Sequence, residues 1–73
     1  MSIGEDRVRT KFNPSANSQV DQIKQATASL IDVCEGLKSE EGKINSSEKV
    51  RCAALAMTAY EEAAMWAVKA ATV

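Results

Sequence analysis

A chain of 73 residues makes at most one domain, and one this short needs disulfides, a metal, ideal packing or self-association to be stable. Its formal net charge of −1, with acidic and basic residues interleaved, argues against a long DNA or RNA partner, because polyphosphate binding shows as a basic stripe. Cys34 and Cys52 lie in helix-like patterns, and the sequence has no histidine and no Cys-x-x-Cys pair. A disulfide framework and structural zinc are therefore poor candidates, which leaves a reduced cytosolic protein stabilised by oligomerisation, with no cofactor.

Residues 1–17 are expected to form an N-terminal arm ending in a turn. The first ten carry mixed charge and Gly4 with weak periodicity, so a loose arm and a short helix both remain open. They are too polar for a signal peptide, and nowhere does an apolar run approach the roughly 20 residues needed to cross a bilayer. Next comes Lys11-Phe12-Asn13-Pro14-Ser15-Ala16-Asn17-Ser18, which is turn chemistry. Pro14 pushes Asn13 away from helical geometry, and Asn13, Ser15, Asn17 and Ser18 are all potential helix caps.

The spacing predicts a first long helix over residues 18–37, with Val20, Ile23, Leu30, Ile31, Val33, Cys34 and Leu37 on one face. Ser18 with Asp21 three residues on resembles a capping box, and Gly36 lies where helices commonly stop. Residues 38–46 are polar, contain Gly42, and read as the loop of an antiparallel helical hairpin. Asn45, Ser46 or Ser47 can cap a second helix over residues 47–72, and Glu48 three residues after Asn45 supports that start. This helix is crowded with alanine, the best helix former. Val50, Leu55, Met57, Tyr60, Met65, Trp66 and Val68 make it apolar on more than one face. One partner helix cannot cover all of these, so intersubunit packing is expected, with Tyr60 and Trp66 in the oligomer core. The expected fold is thus all-α: a single hairpin domain spanning residues 1–73 and assembling into an interlocked helical oligomer.

Chemistry-bearing residues are few. Glu61 and Glu62 are adjacent and diverge by about 100 degrees on a helix, so they do not flank a substrate and read as solvated or interface surface. No serine or cysteine sits in a nucleophile motif, and no enzyme is expected. Asn13 and Ser15 beside a helix start offer a phosphate cradle, and Phe12 offers a stacking surface. The commoner use of such residues is a cap with a hydrophobic staple. Lys24, in the second turn of the first long helix, can reach a phosphate or be an ordinary surface lysine. Thr27, one turn on, can donate a hydrogen bond or sit in the core. Arg51 opens the second helix where the dipole disfavours a cation, so a partner is expected: a carboxylate such as Glu48, or a ligand phosphate.

The strings Phe12-Asn13-Pro14-Ser15, Ile23-Lys24 and Glu61-Glu62-Ala63-Ala64-Met65-Trp66-Ala67-Val68-Lys69-Ala70 together resemble the phage anti-CBASS sponge family, which shares its hairpin domain with a phage anti-Thoeris sponge family. The resemblance runs from about Arg7 to Thr72, and its most specific part is the run from Met65 to Ala70. It implies a hexamer of interlocked subunits in the cytoplasm of an infected bacterial host. It implies binding without cleavage of cyclic dinucleotides such as 3′,3′-cyclic GMP–AMP between protomers, and of cyclic trinucleotides at a separate site shared by three protomers. Sequestration then blocks CBASS effector activation. The resemblance gives Phe12 the stacking position, Asn13 and Ser15 in the Pro14 turn the phosphate positions, and Lys24 a further dinucleotide contact. It gives Arg51, with Thr27, the trinucleotide phosphates. Phe12 departs from the pattern where tyrosine can stand, so stacking is kept and any hydroxyl contact is lost. The short loop between the helices makes the placement of Arg51 depend on where the gap falls. The alternative from another class is a small helical interaction module with no nucleotide ligand, which explains the apolar second helix but not the grouping of Phe12, Asn13, Ser15 and Lys24.

Overall fold

The computed structural model describes residues 2–9, 17–39 and 47–73, and every regular element among them is a helix. In chain order these are α1 (Ile3–Val8), α2 (Ser18–Lys38) and α3 (Ser47–Thr72). The predicted boundaries of the two long helices agree with these to within a residue.

The arm is helical because its first turn is capped from both sides. The Ser2 hydroxyl accepts the Glu5 N–H at 3.1 Å, and the Glu5 carboxylate accepts the Ser2 N–H at 3.0 Å. This reciprocal box satisfies two amides that a helix start leaves unpaired. The helix stops at Arg9, whose φ of 56° and ψ of 56° are left-handed. A non-glycine residue there costs about 1–2 kcal/mol, so other contacts must hold it. Gly4 lets α1 lie directly on α2: it is buried, and a Cβ there would overlap the Ala28 carbonyl oxygen. Its N–H donates to the Asp32 carboxylate at 2.7 Å. This approach requires glycine and an acceptor one turn beyond Ala28.

At the start of α2 the cap is Asn17, whose side-chain oxygen accepts the Gln19 N–H at 2.8 Å and the Val20 N–H at 3.2 Å. This corrects the expected Ser18–Asp21 capping box: Ser18 is already helical, and the asparagine before it satisfies both orphan amides. Gly36 also does not end the helix. α2 continues to Lys38, and Ser39 closes it by donating its N–H to the Gly36 carbonyl at 3.3 Å. Gly36 has open space where a Cβ would sit and adopts no left-handed turn, so its single propensity penalty is outvoted by its helical neighbours. The expected caps Asn45 and Ser46 lie outside the described residues.

One core joins the three helices. Val8 of α1, Ala28, Ile31 and Cys34 of α2, and Met57 and Ala64 of α3 are buried together, with Ile23, Ala56 and Tyr60 packed at the edge. Alanine at positions 28, 56 and 64 lets the backbones approach closely. Much of the predicted apolar face is not in this core. Leu30, Val33 and Leu37, at spacings of three and four, form a second stripe on α2, with Val33 62% exposed. On α3, Leu55, Met65 and Trp66 are each 56% exposed.

The shape explains this. The chain extends 44 × 21 × 13 Å, one helix pair wide and one helix thick. Its accessible surface is 5038 Å², against about 4,400 Å² for a compact monomer of 7.8 kDa. A layer one helix thick has no second layer to cover its outer faces. Among the described residues no helix is long and apolar enough to cross a membrane.

Candidate functional site

The site is built around Lys24. One turn into α2, this residue is only 7% exposed. Its ammonium donates to the Arg9 carbonyl at 3.1 Å. A buried ammonium is costly unless it is hydrogen-bonded. Here the acceptor is the carbonyl at the C-terminal end of α1, where the helix dipole also favours a cation. The contact helps hold Arg9 in its left-handed conformation. Lys24 is therefore not a surface lysine, the commoner expectation for its type.

A second tie crosses from α1 to α3. Arg7 Nε lies 2.8 Å from Glu61 Oε2, with both side chains partly shielded from solvent. Asn17, at the start of α2, donates its side-chain amide to the Ala71 carbonyl at 3.4 Å. The residues on either side of segment 10–16 are thus anchored, Arg9 by Lys24 and Asn17 by α3.

Between the C-terminal end of α1, Lys24 and α3 lies a cleft of about 500 Å³. This is within the range of small-ligand sites, about 300–1,000 Å³. Its α3 wall is one stripe at helical spacing, polar at Thr58, Glu61 and Glu62 and apolar at Met65 and Val68. Lys24, Arg7 and Arg9 supply the opposite, basic side. The cleft thus combines basic side chains with an apolar end on α3.

The other predicted site residues are dispersed. Thr27 is buried, and its hydroxyl donates to the Ile23 carbonyl one turn back, the core role left open by the sequence. Arg51 is exposed in the first turn of α3 and is held by Glu48 through two hydrogen bonds, Nε to Oε1 at 3.1 Å and Nη2 to Oε2 at 2.7 Å. The guanidinium holds the Glu48 carboxyl below its ordinary range, with a smaller contribution from the Cys52 thiol. No hydrogen bond or ion pair joins Arg51 to Thr27 within the chain. Phe12, Asn13, Pro14 and Ser15 lie outside the described residues. Tyr60 is half-buried at the core edge, whereas Trp66 is exposed, with the Lys69 ammonium 5.5 Å from its ring centroid.

Arg7, Arg9 and Asp32 were not singled out from the sequence. Their roles depend on α1 folding back across the hairpin. The Ser2-x-x-Glu5 box is the one local signal that could have shown that α1 is a helix.

Comparison with known proteins places the chain in a family. The family model described as Acb2/Tad1, hairpin domain, aligns with residues 3–72, which takes in all three helices. No curated protein and no solved structure matches.

Proposed function

Because this chain belongs to the Acb2/Tad1 hairpin family, a family of phage anti-defence sponges, we propose that it sequesters cyclic di- and trinucleotide second messengers and so blocks CBASS effector activation. It binds them without cleaving them. The observation that carries the reading is the buried Lys24 ammonium beside a cleft of about 500 Å³, fixed at the point where the chain enters the segment holding Phe12, Asn13 and Ser15. In this reading Phe12 stacks on a base, Asn13 and Ser15 take phosphate oxygens, and Lys24 neutralises a phosphate. The working form is a hexamer in the cytoplasm of the infected host, and the exposed stripes on α2 and α3 are the surfaces that self-association would cover.

Two measurements test this. Incubation with 3′,3′-cyclic GMP–AMP, followed by denaturation and chromatography, is expected to return the intact ring. Linear or mononucleotide product would refute sequestration. The same ligand is expected to raise the melting temperature by several degrees, because a ligand at 100 times its Kd adds about 2.7 kcal/mol. An interaction module without a nucleotide site would show no rise. Separately, light scattering after size exclusion is expected to give a mass six times that of the chain. A monomeric mass at micromolar concentration would rule out the assembly and the shared pockets together.

A further inference from the structure

Glu62 sits on the cleft's α3 wall, one turn before Met65, and has no ion-pair or hydrogen-bond partner among the described residues. Its neighbour Glu61 is neutralised by Arg7, but Glu62 is not. A carboxylate left unpaired beside a basic, anion-accepting wall repels an anionic ligand unless it makes a compensating contact. Ionised, it is acceptor-only and takes two parallel hydrogen bonds.

A nucleotide carries three features that this cleft separates in space: an anionic phosphate, a flat apolar base face and a polar base edge. The phosphate suits Lys24 and Arg9, and the base face suits Met65 and Val68. The edge then meets Glu62. Guanine presents adjacent N1–H and N2–H donors, which match the two oxygens of one carboxylate. Adenine presents one donor next to an acceptor, and that acceptor would face a carboxylate oxygen.

We infer that Glu62 is a specificity-determining residue that reads a guanine base in the α1–α3 cleft. The inference rests on the sponge reading for the presence of a cyclic dinucleotide, and adds which base this cleft takes. Built hydrogen-bond acceptors discriminate strongly against a base lacking the matching donors, because the mismatch leaves polar groups unpaired.

The test is calorimetry with cyclic di-GMP and cyclic di-AMP on the parent and on Glu62→Gln. The parent is expected to bind cyclic di-GMP at least tenfold more tightly than cyclic di-AMP. Glu62→Gln is expected to weaken cyclic di-GMP at least tenfold and to tighten cyclic di-AMP, because the amide offers adenine's acceptor the donor that the carboxylate lacks. Charge alone predicts the opposite for cyclic di-GMP, since removing a carboxylate near an anion tightens both ligands. Loss confined to the guanine ligand therefore supports base reading. Unchanged or equally altered affinities, or a parent indifferent to the base, would overturn the role of Glu62 and leave sequestration standing. A parent that binds neither ring overturns both. Glu62 is exposed, so helical content and assembly mass in the variant should equal the parent's and serve as the folding control.

Discussion

Replacing Lys24 with methionine is expected to weaken binding of 3′,3′-cyclic GMP–AMP by roughly 10- to 150-fold. That range corresponds to losing one charge-assisted hydrogen bond, about 1.5–3 kcal/mol. Methionine is the informative substitution because the Lys24 stem is buried, and an unbranched apolar chain of similar length keeps that packing. Alanine would mix a cavity with the loss of charge. The variant also loses the hydrogen bond from the ammonium to the Arg9 carbonyl. The Gly4 N–H bond to Asp32 and the Arg7 pair with Glu61 remain, so α1 should stay docked. Amide exchange at Gly4 separates the two effects. Slow exchange with weak binding assigns the loss to the ligand contact, whereas fast exchange assigns it to a displaced α1. An affinity within twofold of the parent would remove Lys24 from the site. Phe12→Ala belongs in the same titration, with an expected loss of about 1–3 kcal/mol for one stacked base.

Arg51→Ala is expected to abolish measurable cyclic trinucleotide binding and leave cyclic dinucleotide binding nearly intact. Under the proposed function, three arginines from three protomers would match the three phosphates of such a ring in symmetry and charge. In the single chain Arg51 is occupied by Glu48, so a phosphate must replace a carboxylate rather than find an idle guanidinium. That exchange is feasible because the pair lies on the surface, where water competes with it. Its pH dependence has a definite sign. The Glu48 carboxyl is held low by Arg51 first and Cys52 second, so the pair is complete above the ordinary carboxylate range. It is lost only as pH falls through the lowered value. At neutral pH the carboxylate therefore competes fully for Arg51. Titrating both ligands into one preparation of the variant supplies the folding control. Equal loss of both would mean that Arg51 acts through folding. Unchanged trinucleotide binding would place the site elsewhere.

By itself the sequence determined that the chain forms two long helices and, to within a residue, where they lie. These depend on local terms: apolar residues at spacings of three and four, and the alanine density of α3. It also carried the family resemblance that the matching of residues 3–72 bears out. The choice of cap between Asn17 and Ser18 was less legible, because adjacent polar residues differ little in capping strength and the observed hydrogen bonds select between them. Only the tertiary structure decided which half of the α2 face is core. Val20, Ile31 and Cys34 are buried while Leu30, Val33 and Leu37 are not, because a single layer gives each helix one covered side. It also decided the surroundings of Lys24. Burial of that ammonium requires the Arg9 carbonyl, which is fifteen positions away in sequence. The carbonyl is in place because Gly4 lets α1 press onto Ala28 and Asp32 takes the Gly4 amide. Such a contact depends on the meeting of two segments far apart in sequence, and no periodicity within either of them encodes it.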